Sequence, residues 1–249
     1  MSKIIPYVTP IVLVSNDCYW LPYVLKSTKD FFDHFIIYDV GSTDGTLDVI
    51  DWFENTYDGD LLVERMPMVP PKAQLAFRNA PIAELTTNYY LILDGDEVWP
   101  ESSLLKLREQ MPGYLSSEKP YGVVKRIEVS EDLKTRYSDI KNHHRLYYRS
   151  CTWLGKHPGE SPALPQTPAR EYSFSKDIAV YHFHNTLRSP EEKNVPKRME
   201  RKSQHTYHPG QLIPFYLLNE LPILQKPIEN FPVNPQLAEL QKIYEVGIG

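Results

Sequence analysis

Apolar and polar residues follow one another in regular blocks along the first hundred positions of this chain. Two short β-branched runs, Pro10 to Ser15 and Phe35 to Asp39, each end in a polar or glycine-containing turn. This pattern is typical of a buried strand that leads into a turn. After the second turn, Leu47, Ile50 and Phe53 follow helical spacing. The sequence therefore predicts consecutive β-turn-α units.

The same pattern continues to about residue 94. Two further strands are predicted at Leu61 to Glu64 and Tyr89 to Leu93, with a helix from Ala73 to Leu85 between them. In the first unit, Asp17 is expected to cap the free amides of the helix that follows it. Alternating strands and helices form a mainly parallel sheet flanked by helices, which binds ligands beyond the carboxyl ends of its strands. We therefore expect an α/β fold.

The pattern is less regular after Pro100. A helix carrying Leu104, Leu107 and Met111 is expected first. Short strands are expected after it at Tyr121 to Val129, His144 to Tyr148 and Ile178 to His184. Six prolines lie between Pro209 and Pro235, so the tail is expected to wrap the domain or to meet a partner. We expect one domain over residues 1–205 and a proline-rich extension over 206–249.

Composition and charge restrict the class of protein. The 249 residues are 41% hydrophobic and 24% charged, which is ordinary for a folded soluble protein. A formal net charge of −5 gives no general attraction to phosphate backbones, so nucleic acid is not an expected partner. Cys18 and Cys151 are too few for a disulfide framework.

The N-terminus gives no sign of export. Residues 1–6 lack the long apolar stretch of a signal peptide, and no run in the chain is long enough to span a bilayer. We therefore expect a cytoplasmic protein without a transmembrane segment, and peripheral contact with a membrane stays open.

Asp94-Gly95-Asp96 follows directly after the fourth predicted strand. Its two carboxylates are separated by a small residue that lets a ligand approach closely. Mg²⁺ and Mn²⁺ take oxygen ligands from one or two carboxylates together with substrate phosphates. The alternative is a solvated acidic turn. The position at a strand end favours the metal site.

A second polar motif, residues 39–46, reads Asp-Val-Gly-Ser-Thr-Asp-Gly-Thr. A helix cap explains Ser42, Thr43 and Asp44, and we prefer this structural interpretation for those three. Asp39 differs because it lies at a strand end. Its carboxylate could accept the ring N–H of uracil or the N–H groups of guanine, and so could select the base of a nucleotide.

Taken in order, residues 39–46, Arg78-Asn79 and the run YYLILDGDEVWP resemble the family 2 glycosyltransferases with the GT-A fold. The resemblance covers roughly residues 8–110, the predicted nucleotide-sugar-binding half, and leaves 111–205 as the acceptor-side half. It implies transfer of a sugar from a UDP- or GDP-sugar donor to a hydroxyl of a glycan or glycolipid acceptor, as in polysaccharide biosynthesis.

The resemblance also implies roles for single residues. Asp39 would contact the base, and Arg78 would lie near the nucleotide. Asp94 would contact the ribose or the metal, and Asp96 would ligate Mn²⁺ or Mg²⁺. The third acidic position of this DXD-type motif is usually Asp in the family, whereas here it is Glu97, so its role stays open.

Residues 144–149 and 153–160 resemble a segment of small bacterial lipopolysaccharide-type transferases in which an Arg-Leu-aromatic run precedes Trp-x-Gly-x-x-His-Glu. Here Pro158-Gly159 separates His157 from Glu160. Inverting transfer needs a group that removes the acceptor proton. Glu160 is the first choice for this base and His157 is the alternative. A surface-loop position for Glu160 stays open.

The last predicted strand carries two histidines. Alternation places Val180, His182 and His184 on one face, where a histidine could complete the metal shell or touch the diphosphate. The alternative is a hydrogen-bonded structural histidine. The following Arg188-Ser189 and Lys197 resemble a family pattern that favours His184 as the ligand, with Lys197 near the nucleotide. The basic residues of 188–202 could instead form a solvated helix, a cationic lid over the diphosphate or a contact with anionic lipid.

Two other functions fit the fold class. A nucleotidyltransferase usually carries a glycine-rich, basic loop after the first strand, whereas residues 15–20 hold neither glycine nor Lys or Arg. A non-catalytic carbohydrate-binding protein on the same fold would be expected to lose the metal carboxylates, and both are present. A metal-dependent, inverting glycosyltransferase is therefore the leading hypothesis.

Overall fold

A nine-stranded mixed sheet lies at the centre of the fold, in a computed structural model that describes residues 3–67, 74–138, 140–154, 161–162, 171–190 and 211–248. One half of the sheet is parallel and follows the predicted β-turn-α units. In spatial order its strands are β3 (Asp60–Met66), β2 (His34–Val40), β1 (Val8–Val14) and β4 (Tyr89–Asp94).

The other half of the sheet combines both strand directions. β8 (Lys141–Tyr148) lies antiparallel between β4 and β6 (Tyr121–Glu128). On the far side of β6, β11 (Glu171–Ser173) and β12 (Ala179–His182) both pair with it in parallel. The expected strands of this half therefore all form.

The sheet must curl because of a very short connection. Only Gly95 and Asp96 separate β4 from β5 (Glu97–Val98), yet β5 pairs antiparallel with β12 at the far end of the strand order. Two residues can bridge those positions only if β12 returns close to the end of β4. The curl therefore brings β12 to the Asp94-Gly95-Asp96 motif.

Four helices flank the sheet where the apolar spacing predicts them. They are α1 (Leu21–Thr28), α2 (Thr46–Thr56), α3 (Gln74–Ala83) and α4 (Glu101–Ser116). No helix in the described ranges is long and apolar enough to cross a membrane. The predicted start of α3, Ala73, lies outside those ranges.

The expected cap of α1 is wrong in one detail. The backbone carbonyl of Asp17, and not its carboxylate, accepts hydrogen bonds from the N–H groups of Trp20 (3.1 Å) and Leu21 (2.9 Å). The carboxylate turns the other way and accepts the N–H of Ser15 at 3.2 Å. The carboxylate is thereby directed toward the carboxyl ends of the strands, the edge at which such sheets bind ligands.

Alternation along the strands divides the core between the two faces of the sheet. In β2, Phe35 and Ile37 belong to the main cluster of buried side chains, whereas Ile36 and Tyr38 belong to a second cluster. All four are buried, which is the pattern of a strand covered on both faces.

The described part of the proline-rich tail packs against the rest of the fold. β13 (Leu212–Pro214) pairs with β7 (Thr135–Tyr137), and α5 (Leu217–Glu220) and α6 (Pro235–Ile248) follow it. Buried leucines of this tail, among them Leu237, join the main core cluster. The predicted domain boundary at residue 205 lies outside the described residues.

One backbone carbonyl ties distant parts of the chain together. The oxygen of Leu187 accepts hydrogen bonds from Trp20 Nε1 and from Asn234 Nδ2, both at 2.9 Å. The ring of Trp20 also stacks on Phe183, with centroids 3.9 Å apart. The loop that follows β12 is therefore held from both ends of the chain.

Two small strands form a ribbon separate from the central sheet. β9 (Trp153–Leu154) and β10 (Ser161–Pro162) pair with each other in an antiparallel ribbon. The stretch between them holds both candidate bases, His157 and Glu160, and lies outside the described residues.

Candidate active site

Three parallel strands deliver acidic side chains to one edge of the sheet. In register, Val14 of β1 pairs with Asp39 of β2, and Leu13 pairs with Asp94 of β4. Asp17 follows β1 in the next loop. Since parallel strands present their carboxyl ends at the same edge, these carboxylates share the side on which such sheets bind ligands.

Asp39 presents a shielded oxygen at this edge. Its Oδ2 accepts hydrogen bonds from the backbone N–H groups of Gly41 and Ser42, both at 3.1 Å. Gly41 has a φ of 85°, which glycine adopts without strain. The other oxygen, Oδ1, is buried and has no hydrogen-bond partner among the described residues. It can therefore accept an N–H from a ligand.

The polar residues after Asp39 connect the first two strand-end loops. The N–H of Asn16 donates to Ser42 Oγ at 2.9 Å, and the N–H of Thr43 donates to Asn16 Oδ1 at 2.8 Å. Asp44 Oδ1 accepts the N–H of Thr46, in the first turn of α2, at 2.9 Å. Of the three residues expected to cap α2, Asp44 therefore bonds to its first turn, whereas Ser42 and Thr43 join the two loops.

Asp96 is buried between an imidazole and a guanidinium. Its Oδ1 lies 3.6 Å from His182 Nε2, and its Oδ2 lies 3.4 Å from Arg188 Nη1. Burial by itself would raise the pKa of Asp96, but the attraction of a protonated His182 and of Arg188 outweighs that effect and holds the pKa below its usual value. The carboxylate is thus kept ionised.

Asp96, His182 and His184 together form a candidate metal centre. Their potential ligand atoms all lie within 4.8 Å of one another. The rings of the two histidines stack with centroids 5.4 Å apart. One carboxylate and two imidazoles suit a divalent transition metal, so the donor set fits Mn²⁺.

Asp94 belongs to a different cluster. Its Oδ2 accepts a hydrogen bond from Arg145 Nη2 at 2.7 Å, and the same nitrogen contacts Glu97 Oε1. Burial raises the pKa of Asp94, but Arg145 and Arg78 overcome this and hold it well below its usual range. Burial also raises the pKa of Glu97, against the attraction of Arg145.

Glu97 therefore pairs with a buried arginine and is separate from the cluster around Asp96. Asp94, Glu97 and His143 have potential ligand atoms within 4.8 Å of one another. However, Arg145 already bridges the two carboxylates of this group. The ligand role of Asp94 toward a metal stays a prediction.

Arg78 lies in α3 beside a tryptophan. Its guanidinium carbon is 5.1 Å from the centre of the Trp153 ring, which is within the range of a cation–π contact. The neighbouring Asn79 holds the backbone of Trp153 on both sides, since its Nδ2 donates to the carbonyl (3.0 Å) and its Oδ1 accepts the N–H (2.7 Å). Asn79 thus fixes the start of β9. The ring of Trp153 there lies beside Arg78, whose charge helps to lower the pKa of Asp94.

Asp17 and Arg188 complete the edge. Arg188 Nη1 lies 3.1 Å from Asp17 Oδ1 and so bridges Asp17 to Asp96. Burial raises the pKa of Asp17 to about 7, although the charge of Arg188 opposes this. A Cβ on Gly95 would lie 2.8 Å from Asp17 Cγ. The expectation that Gly95 makes room for a ligand is therefore corrected, because the space is taken by Asp17.

The structure places five of the predicted site residues at or beside this edge: Asp39, Arg78, Asp94, Asp96 and His184. Three others, His157, Glu160 and Lys197, lie outside the described residues, so their roles stay predictions. Sequence reasoning missed Arg145 as a partner of Asp94, and it placed His182 below His184. The only local signal for Arg145 was its place in the Arg-Leu-aromatic run.

The fold is shared with known transferases, although no protein-family model and no curated protein sequence matches the chain. The chain is similar to S. aureus TarS, with a TM-score of 0.52 and 13% identity over 88% of this chain and 42% of TarS. It therefore spans less than half of the TarS chain. It is also similar to TarS 1–349 in complex with UDP, with a TM-score of 0.51 and 14% identity over 94% and 70% of the two chains. The chain has the GT-A glycosyltransferase fold, as predicted.

Proposed function

We propose that this chain is a metal-dependent glycosyltransferase that moves a sugar from a nucleoside diphosphate sugar to an acceptor hydroxyl of a glycan or glycolipid. The observation that carries the proposal is the convergence of Asp39, Asp94 and Asp96 on the ligand edge of a GT-A sheet. Because fold alone does not fix function, the proposal depends on the chemistry of these side chains.

Asp39 is the proposed reader of the base. Its buried Oδ1 is an acceptor without a partner in the described structure, so an N–H of uracil or guanine would satisfy it. A carboxylate has only acceptors, so it favours bases that present an N–H at that point. The bound UDP of the similar TarS structure is consistent with a uracil nucleotide.

Asp96, His182 and His184 are the proposed metal ligands. When bound, the cation would neutralise the negative charge that grows on the departing diphosphate. The two imidazoles favour Mn²⁺ over Mg²⁺, which prefers oxygen ligands. Arg188, 3.4 Å from Asp96, adds a second positive charge on the same side of the site.

The acceptor base is proposed from sequence alone. Glu160 is the first choice and His157 the alternative. We expect Glu160→Gln to lower kcat by roughly 10²–10⁴-fold with donor binding nearly unchanged, because general base catalysis typically accelerates a reaction by that factor. Single-turnover rates of Glu160→Gln and His157→Gln, measured side by side, test this.

The turnover of the two variants decides which residue is the acceptor base, or whether neither is. Near-full turnover of Glu160→Gln beside an inactive His157→Gln would transfer the role to His157. If both variants are active, the anomeric configuration of the product, read by NMR, decides whether the reaction retains configuration and needs no base.

A thermal-shift panel tests the function as a whole. Ligands that bind the native state raise its melting temperature. We expect UDP or GDP, and one of their sugars, to stabilise the protein more with Mn²⁺ than without it, whereas ADP serves as a nucleotide control. Absence of stabilisation by every nucleotide, with and without Mn²⁺, would contradict the proposal.

A further inference from the structure

A buried glutamate lies behind the candidate metal centre. Glu128 Oε2 is 2.7 Å from His182 Nδ1, and the opposite ring nitrogen, Nε2, faces Asp96 at 3.6 Å. Glu128, Asp96 and His182 are all buried. The imidazole therefore stands between two carboxylates, with one nitrogen directed to each.

Strand register fixes this arrangement. β12 pairs in parallel with β6 so that His182 lies opposite Glu128, at the last position of both strands. The N–H of Val129 donates to the carbonyl of His182 at 3.0 Å, which extends the pairing beyond the glutamate. The backbone pairing of β12 with β6 therefore places the side chains of His182 and Glu128 next to each other.

Glu128 is itself held by a cation. Its second oxygen, Oε1, lies 2.7 Å from Arg126 Nε. A carboxylate with only 2% of its residue surface exposed needs such partners to stay charged. Both oxygens are engaged, so the side chain has little freedom to turn away from His182.

We propose that Glu128 is a positioning residue that holds the proton of His182 on Nδ1 and so presents an unprotonated Nε2 toward Asp96 for a divalent cation. A carboxylate can only accept, so Nδ1 must donate. A metal binds the nitrogen that carries no proton, and a carboxylate on the other nitrogen fixes this tautomer. The inference rests on the proposed function, and it adds Glu128 behind the three proposed ligands.

The chain offers a matched control. His144 Nε2 and Glu171 Oε1 form a second His–Glu pair in the same sheet, at 2.8 Å, but Glu171 is half exposed. Neither residue belongs to the cluster around Asp96. Glu128→Gln and Glu171→Gln therefore make the same chemical change to two pairs, of which one lies behind the metal centre.

The first test measures metal affinity. The readout is the Mn²⁺ concentration that gives half of the thermal stabilisation in the presence of UDP or GDP, whichever stabilises the wild type. We expect Glu128→Gln to need about 10- to 100-fold more Mn²⁺, the usual loss when such an outer partner is removed. Glu171→Gln should match the wild type. Equal Mn²⁺ dependence of Glu128→Gln and wild type overturns the proposal.

The second test reads the tautomer directly. In metal-free protein labelled with ¹⁵N-histidine, above the pKa of the imidazole, we expect a proton on Nδ1 of His182 in the wild type. The histidine ring signals of His182 are identified as those that disappear from the spectrum of His182→Gln. Glu128→Gln should move the proton at least partly to Nε2, whereas a wild-type proton on Nε2 overturns the proposal.

Different results would contradict the proposed function and the role of Glu128. A wild type that shows no stabilisation by Mn²⁺ with any nucleotide overturns the proposed function and the role of Glu128 together. Normal Mn²⁺ dependence of both wild type and Glu128→Gln overturns the role of Glu128 alone.

Discussion

Asp96 offers the most direct residue-scale test of metal dependence. Because each of its partners keeps another carboxylate, Glu128 for His182 and Asp17 for Arg188, we expect Asp96→Ala to abolish transfer while the fold stays intact. Transfer assays with added Mn²⁺ and circular dichroism of the same sample would show both. Full activity of the variant in metal-free buffer would contradict the metal assignment.

Asp39 has two oxygens with different tasks, and a pair of variants separates them. Asp39→Ala removes both, and we expect nucleotide binding to weaken by roughly 1–3 kcal/mol, the scale of a lost charged hydrogen bond. Asp39→Asn can keep the acceptor for Gly41 and Ser42 but turns an N–H₂ toward the base.

Calorimetric titration with UDP and GDP compares the two variants. Similar losses in both would support base reading by Oδ1. A loss confined to Asp39→Ala would instead show that the carboxylate only holds the loop, and unchanged affinity in both would remove Asp39 from the site.

For single residues, the sequence predicts the side chains that lie at strand ends. It does not predict those whose partners are distant in the chain. Asp39, Asp94 and Asp96 follow apolar runs, so their position is visible locally. Arg145 pairs with Asp94 across 51 positions, and Glu128 pairs with His182 across 54. No periodicity encodes such a pair, because it arises only when the sheet closes.

Among the elements, the β4–β5 connection depends on Gly95. An added methyl would meet Asp17 Cγ at 2.8 Å, and Asp17 is held by Ser15 and Arg188. We therefore expect Gly95→Ala to cost about 1–3 kcal/mol in the free energy of unfolding, the usual cost of overpacking. The variant should also need more Mn²⁺ for thermal stabilisation.

Gly45→Ala is the control for this change. The nearest atom to its added Cβ would be Cys18 Cβ at 3.6 Å, an ordinary contact. Urea unfolding of the two variants should separate them, and equal stability of Gly95→Ala and wild type would show that Asp17 yields without cost.

The elements themselves divide into a predictable and an unpredictable half. The four parallel strands are predictable from short apolar runs, and β1 and β2 are each also followed by a turn and a helix. β5 is not predictable, since two residues carry no pattern, and neither is the antiparallel insertion of β8 between β4 and β6. The curl of the sheet depends on both, so the neighbourhood of His182 could not be derived from sequence.

For the molecule as a whole, the C-terminal segment is part of the core. Leu237 of α6 is completely buried in the main cluster. We expect Leu237→Ala to lower the free energy of unfolding by about 2–5 kcal/mol, the range for truncation of a buried leucine. Urea denaturation followed by tryptophan fluorescence would measure this.

Ile243, on the same helix but 63% exposed, provides the comparison. Ile243→Ala should change stability by less than about 0.5 kcal/mol, as surface substitutions usually do. Equal effects of the two substitutions would show that α6 does not pack as described.

The two hydrogen bonds on the Leu187 carbonyl set an order of events during protein synthesis. One donor, Trp20, leaves the ribosome early, whereas the other, Asn234, emerges more than two hundred residues later. Contacts between such distant positions form late, because the chain between them must first be ordered. Until Asn234 has emerged, the loop that carries Arg188 lacks one of these two hydrogen bonds. A nascent chain that already contains every predicted site residue therefore still lacks a hydrogen bond that holds the loop beside Asp96.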